Sequence, residues 1–126
     1  MRKLKQSEVP MVRDKMAAKQ GQICPLCLGN LKQKGAVLDH CHTTGAVRAV
    51  LCRNCNGCEG RAKTVATRAA SRAGMVEWAE NLAKYWRYYS ESKGQLMYPS
   101  HKTAEEKRLE RNKKARLARA KSKGNT

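Results

Sequence analysis

Six cysteines lie within 35 consecutive positions, from residue 24 to residue 58, and the sequence contains no others. Four of them form two C-x2-C pairs, Cys24 with Cys27 and Cys52 with Cys55, with 24 residues between the pairs. Such pairs are typical of zinc sites in reduced proteins and of disulfide frameworks in secreted ones. Zinc or disulfides must hold this segment together. The chain has no Phe and its aromatic content is 5%, so a large apolar core is not available.

The cellular compartment decides between zinc and disulfides. No apolar stretch follows the charged first five residues, and no segment is long and apolar enough to span a bilayer. We therefore expect a cytoplasmic protein with reduced thiols and no membrane partner. Four thiolates around Zn²⁺ leave no position for a substrate, so the expected ion is structural. Its predicted ligands are Cys24, Cys27, Cys52 and Cys55.

The other two thiols leave an alternative open. Cys55 and Cys58 are also spaced C-x2-C, so spacing alone allows the second zinc-binding pair to shift by three residues. Without that shift, Cys41 and Cys58 are spare thiols. We expect both to be small buried hydrophobic side chains and not ligands.

The net charge indicates the class of partner. The 126 residues carry a formal charge of +17, which zinc binding by four thiolates changes by only about 2 units. This excess favours a polyanion, most simply a nucleic acid, over a small-molecule substrate. Basic structural proteins share this property, so charge predicts the partner and not the activity.

The N-terminal half predicts one helix and one hairpin. The helix is expected over residues 7–20, with Ser7 as its N-cap and Gly21 at its end. Short strand candidates at 36–38 and 47–51 flank a Thr-Thr-Gly turn, which predicts a β-hairpin.

The C-terminal half predicts helices. One is expected from Cys52 to about Ala73, capped by Asn54 or Asn56. The next, over residues 75–89, carries an apolar stripe at helical spacing, which is more typical of a core or a dimer seam than of a base-stacking platform. The stripe consists of Met75, Trp78, Leu82, Trp86 and Tyr89.

A basic extension follows the breaks expected at Gly94 and Pro99. Thr103 and Glu106 form a capping box at its start. Residues 102–126 contain ten basic and three acidic side chains but few large apolar ones. We expect a solvated helix or a disordered arm that becomes ordered on phosphates, with a solubilising tail as the alternative.

The stretch LDHCHTTG, residues 38–45, contains the residues best suited to chemistry. If zinc takes the four thiols, Asp39, His40 and His42 remain. A carboxylate is a hard oxygen ligand for Mg²⁺, and an imidazole accepts a proton near neutral pH. Asn56, directly after the last predicted zinc ligand, offers a second oxygen ligand. Together they suit a one-metal phosphodiesterase.

Two other interpretations of these residues stay open on spacing alone. Asp39, Cys41 and His42 can form a second, imperfect zinc site, or the residues can make ordinary polar contacts in a hairpin. In a regular strand Asp39 and His40 point to opposite faces, so both can address one metal only if the strand is irregular. We therefore predict irregular geometry at residues 39–42.

Two stretches, CPLCLGNL and AVLDHCHTTGAVRAVLCRNCNGCEG, resemble the phage recombination endonuclease VII family, within the HNH or His-Me finger nucleases. The resemblance covers about residues 22–61. It implies a ββα-metal core with zinc on the four paired cysteines, which decides against Cys58. It also implies Mg²⁺, replaceable by Mn²⁺, on Asp39 and Asn56. The remaining implied catalytic residues are His40 as general base, His42 as phosphate-contacting or auxiliary residue, and Glu59 in support.

The resemblance implies a Mg²⁺-dependent DNA endonuclease that resolves branched or nicked DNA and leaves 5′-phosphate and 3′-hydroxyl ends. The family's junction-resolving members are dimers, so the stripe in residues 75–89 is the candidate seam. If the protein is phage-encoded, it would act in the bacterial cytoplasm. Two alternatives remain: an HNH nicking or homing-type endonuclease without junction preference, and a noncatalytic zinc-ribbon protein that binds nucleic acid.

The predicted fold is small, α+β and stapled by zinc. Its expected segments are an N-terminal helix (1–21), a zinc-bound ββα-metal nuclease core (22–73), a helical segment that can serve as the dimer seam (74–101), and a basic helical or disordered DNA-binding tail (102–126).

Overall fold

The computed structural model describes residues 1–90 and 96–125. In chain order its elements are a 3-10 turn (Gln6–Glu8), α1 (Val9–Lys19), α2 (Leu31–Lys34), β1 (Ala36–His40), β2 (Val47–Cys52), α3 (Arg53–Ala69), α4 (Met75–Tyr89) and α5 (Ala104–Gly124). The predicted α+β class is confirmed, and the succession β1, β2, α3 gives the expected ββα core. The break predicted at Gly94 lies outside the described residues.

Glu8, and not Ser7, organises the start of the N-terminal helix. Its carboxylate accepts hydrogen bonds from the Lys5 backbone N–H at 2.7 Å and from the Arg2 guanidinium at 3.0 and 3.2 Å. The N-cap prediction for Ser7 is therefore wrong, because a carboxylate three residues after Lys5 reaches back to the free N–H groups of the first turn. Gly21, with φ of +63°, lies in the turn after α1.

The hairpin positions the predicted catalytic residues. β1 and β2 pair antiparallel, with Leu38 opposite Val50 and His40 opposite Val47, and the register shifts between Leu38 and His40. The predicted irregularity is confirmed, and it falls on Asp39. Asp39 is buried, with 6% of its surface exposed, whereas the neighbouring His40 is exposed.

The core is a small cluster that surrounds the paired cysteines. Its largest fully buried aliphatic side chains are Leu31 and Val50. Gln20, just after α1, joins α1 to β2, because its side-chain amide donates to the Val50 carbonyl and accepts from the Val50 N–H, both at 2.8 Å. With so little apolar burial, the fold needs a second source of stability at the cysteines.

Helix α3 begins directly at the end of β2. The Cys52 sulfur accepts a hydrogen bond from the Cys55 N–H at 3.4 Å and so occupies the N-cap position. The caps predicted at Asn54 and Asn56 are wrong, since both residues lie inside the first turns of the helix. The helix ends at Ala69, four residues before the predicted end.

The helix predicted over residues 75–89 is present with those bounds, and the basic extension is helical over most of its length. α4 covers Met75–Tyr89, and the first part of its stripe is half-buried while Trp86 is 64% exposed. α5 begins at the predicted capping box, in which Thr103 and Glu106 exchange hydrogen bonds of 3.1 and 3.2 Å. Among the described residues, no helix is long and apolar enough to cross a membrane.

Candidate functional site

The two cysteine pairs converge on one point. Their four Sγ atoms lie within 4.8 Å of one another, and those of Cys27 and Cys52 are 3.8 Å apart. Tetrahedral zinc with Zn–S bonds of about 2.3 Å requires sulfur atoms about 3.8 Å apart, so this spacing fits the ion. Cys58 is outside the group and exposed, with its sulfur 3.3 Å from Arg61. The four thiols are therefore placed to hold a structural zinc ion, and the alternative pairing through Cys58 is wrong.

Electrostatics at the four thiols also favours a cation. Burial opposes ionisation of Cys24, but N–H hydrogen bonds from Cys27, Cys52 and Leu26 prevail and lower its pKa to about 6. The neighbouring Cys52 thiol and burial raise the pKa of Cys55 to about 12. These shifts oppose each other because several negative charges cannot form side by side without a compensating cation. A zinc ion held by these thiolates would supply that charge.

The two remaining thiols are not buried, contrary to prediction. Cys58 is exposed and Cys41 is half-buried in the turn of the hairpin. The Thr44 hydroxyl, followed by the N–H groups of Thr44 and Thr43, lowers the pKa of Cys41 to about 7. Both thiols lie outside the hydrophobic core, which Cys24, Cys52 and Cys55 fill together with a few aliphatic side chains.

Arg48 connects the strand that carries Asp39 to the helix that carries Glu59. Its Nε lies 2.6 Å from Asp39 Oδ2, and its Nη2 lies 3.0 Å from Glu59 Oε2. The hydrogen bonds to Asp39 and then to Glu59 raise the pKa of Arg48 further above its ordinary value. Arg48 was not among the predicted site residues. The available signal was a cation within the short apolar strand that follows the D-H-x-H segment, residues 39–42.

The oxygen donors near Arg48 suit a hard divalent cation. Two carboxylates, one from the bulge in β1 and one from α3, already converge on a single positive group. Asn56 is half-buried in α3, and its separation of three residues from Glu59 places both on neighbouring positions of one helix face. Carboxylate and amide oxygens are the ligands that Mg²⁺ prefers. The types of donor therefore suit the predicted ion, while both carboxylates are already paired with Arg48.

His40 and His42 lie side by side. Their ring centroids are 5.0 Å apart, with the planes tilted by 36°. His40 lines a groove beside the N-terminal segment, whereas His42 lines a different groove beside Lys63 of α3. Both imidazoles are exposed, so solvent and a substrate reach them.

Replacing Arg48 with alanine should destabilise the protein by about 2 kcal/mol. It would leave the buried Asp39 carboxylate without its cation, although partial exposure of Arg48 reduces the effect below that of a fully buried pair. Denaturant unfolding of the zinc-loaded protein measures it. Arg13→Ala is the matched control, since its ion pair with Asp14 is exposed, and it should cost less than about 0.5 kcal/mol. Equal effects of the two substitutions would contradict a special role for Arg48.

Comparison with known proteins identifies the family. No curated protein matches the chain. The family model described as recombination endonuclease VII matches residues 2–89, from the segment before α1 to the end of α4. This is well over half of the 126 residues, and it extends beyond the motifs at residues 22–61 on both sides. The chain therefore belongs to the recombination endonuclease VII family, which implies nuclease activity on DNA.

Proposed function

We propose that the protein is a Mg²⁺-dependent endonuclease that hydrolyses phosphodiester bonds in branched DNA. The observation that carries this proposal is that, in a protein of this nuclease family, Asp39 and His40 end an irregular strand that Arg48 ties to α3, and His42 follows in the turn. DNA is the macromolecular partner, the products carry 5′-phosphate and 3′-hydroxyl ends, and the reaction takes place in the cytoplasm.

Each candidate residue has a stated role in this proposal. Asp39 and Asn56 would hold Mg²⁺ or Mn²⁺, which supplies Lewis-acid stabilisation of the charge that develops on the phosphate and the leaving oxygen. His40 accepts the proton of the attacking water. His42, with Lys63 beside it, contacts the phosphate oxygens. Glu59 acts through Arg48, which fixes the orientation of the Asp39 carboxylate.

The deciding experiment compares three DNA substrates. Zinc-loaded protein is incubated with a four-way junction, a matched linear duplex and a supercoiled plasmid, in Mg²⁺ or in EDTA. We expect the junction to be cut fastest, in Mg²⁺ and not in EDTA, with product ends that DNA ligase rejoins. Equal cutting of junction and duplex would favour a nicking or homing-type endonuclease. Binding without any cutting would favour a noncatalytic zinc-ribbon protein.

Symmetric cutting of a junction requires two active sites related by a two-fold axis. We propose a homodimer whose seam is the aromatic face of α4, where Trp86, Tyr85 and Tyr89 are each more than half exposed. Exposed aromatic side chains in one patch favour protein–protein contact. Sedimentation equilibrium of the full chain tests this, and a monomer at micromolar concentration would remove the basis for symmetric junction cutting.

Deleting residues 102–126 should flatten the salt dependence of DNA binding. The deleted segment carries ten basic and three acidic side chains. Each phosphate contact contributes about −0.9 to the slope of log K against log[salt], so losing three or more contacts should reduce the slope by about 3. Fluorescence anisotropy at several salt concentrations measures the slope. Zinc content should stay unchanged and serves as the control, whereas an unchanged slope would show that the tail only aids solubility.

A further inference from the structure

Two grooves meet at the histidine pair. His40 lines one groove, of about 690 Å³, between the N-terminal segment, α1 and the hairpin. His42 lines a second, of about 430 Å³, along α3. Because the two ring centroids are 5.0 Å apart, the grooves adjoin at these side chains.

The groove at His40 is mainly apolar. Its walls include the aliphatic side chains of Leu4, Val12 and Val47. Lys3 and Arg2, the latter paired with Glu8, also line it, and none of the described residues that line it is acidic. A flat, weakly polar group therefore fits inside it, while an attached anion would be favoured near the opening.

The N-terminal wall of this groove is held in place. The Arg2 guanidinium makes two hydrogen bonds to Glu8, of 3.0 and 3.2 Å, and the same carboxylate accepts the Lys5 N–H at 2.7 Å. The segment that carries Leu4 is thus tied to the start of α1. A wall fixed before binding reduces the entropy lost when a ligand enters.

The groove at His42 has the opposite character. Lys63 and Arg68 supply positive charge, while the Thr64 and Thr67 hydroxyls that also line the groove donate to backbone carbonyls of α3. Cationic side chains are among the groups that most often contact DNA phosphates. One groove therefore suits a phosphate, and the adjoining groove suits an apolar ring.

A nucleotide combines these two parts in one molecule. We propose that the His40 groove binds one unstacked base of the DNA substrate, directly beside the scissile phosphate, whose oxygens lie on the His42 side. This inference rests on the proposed nuclease function. It adds a physical reason why the nuclease would prefer one DNA structure over another. Taking a base out of the stack costs least where it is unpaired. The groove would thus favour DNA in which a base at the cutting position is unpaired or its stacking is interrupted, and a branch point interrupts stacking.

The test uses four-way junctions that differ at one nucleotide. The cutting position is mapped first. In one modified junction an abasic nucleotide replaces the nucleotide on the 5′ side of the scissile phosphate, and in a second it replaces the nucleotide on the 3′ side. Wild-type protein with Mg²⁺ should cut the intact junction about tenfold faster than one of the abasic junctions, because binding one base typically contributes this much. Single-turnover rates measure the difference.

Two variants change the groove, and a third controls for the substitution. Val12→Trp should fill the groove, slowing the intact junction about tenfold and leaving the abasic rate unchanged. Leu4→Ser keeps the groove open but removes an apolar wall, and it should reduce the preference for the intact junction. Met11→Trp adds the same side chain at a neighbouring position that is 54% exposed, and it should behave like wild type.

A fluorescence measurement reports base binding without cleavage. With 2-aminopurine at the same nucleotide and no Mg²⁺ present, zinc-loaded wild-type protein and Met11→Trp should raise the fluorescence, and Val12→Trp should not. If circular dichroism shows that Val12→Trp is unfolded, the cleavage rates of Leu4→Ser and the wild-type fluorescence test the base site instead. Equal wild-type rates on all three junctions, or an equal effect of both groove variants on intact and abasic DNA, would overturn the base site and leave the nuclease function intact. Failure of the wild type to cut any DNA would overturn both.

Discussion

Replacing His40 with alanine should lower the single-turnover rate of DNA cleavage by about 10²- to 10⁴-fold, the usual contribution of a general base. The substitution removes the group proposed to accept the proton of the attacking water. It leaves Asp39 buried against Arg48 and leaves the four thiols unchanged, so zinc content and DNA affinity should stay close to those of wild type. Quenched-flow cleavage of a labelled junction measures the rate, and anisotropy in EDTA measures affinity.

The third histidine of the chain provides a matched control. His101 is exposed and lies between α4 and α5, away from the D-H-x-H segment in sequence, so His101→Ala should cut at the wild-type rate. His42→Ala should have a smaller effect than His40→Ala, since a phosphate contact is one of several. If His42→Ala abolishes cleavage while His40→Ala does not, the two imidazoles have exchanged roles. Wild-type rates for both variants would exclude a histidine base.

Removing zinc should unfold the N-terminal unit, Met1–Trp86, and not merely inactivate it. Structural zinc sites contribute about 10 to 16 kcal/mol of apparent binding free energy, whereas a whole domain is stable by about 5 to 15 kcal/mol. Core residues such as Leu31 and Val50 pack in the same cluster as the ligand Cys24. Losing the ion therefore removes more free energy than the small core can replace.

Chelation by EDTA at elevated temperature and the substitution Cys24→Ser should each abolish the cooperative thermal transition seen by circular dichroism. Cys58→Ser is the control, because its thiol is exposed and outside the zinc group, and it should shift stability by less than about 0.5 kcal/mol. Restoring zinc should restore the transition in the chelated wild type and not in Cys24→Ser. A metal-free protein that still melted cooperatively would show that the core suffices without the ion.

Local sequence signals were sufficient for the features set by neighbouring residues. Cysteine spacing predicted the four-thiol group, two short strand candidates around a Thr-Thr-Gly turn predicted the hairpin, and Thr103 with Glu106 predicted the start of α5. The irregularity at Asp39 followed from a geometric requirement, since adjacent strand residues face opposite sides. These arguments need little knowledge of how distant segments pack.

The errors came from groups whose partners are set by the folded structure. Asn54 was a reasonable cap by residue type, but the chain enters α3 directly from β2, so Cys52 takes that position. Arg48 was missed because its two partners come from another strand and from a helix. Cys41 was expected in the core, which the folded structure fills with other side chains. Propensity does not specify such tertiary relations.

The side-chain amide of Gln20 makes the same pair of hydrogen bonds to β2 that the backbone of a neighbouring strand would make. By engaging both the N–H and the carbonyl of Val50, it occupies the outward hydrogen-bonding groups at one position of β2. A sheet of two strands is nearly all edge, and a bare edge invites pairing with another polypeptide. Gln20 therefore blocks this one position of the edge of β2 against pairing with another polypeptide. On truncation of the Gln20 side chain, the main expected change is therefore fibril-like association, more than a loss of stability.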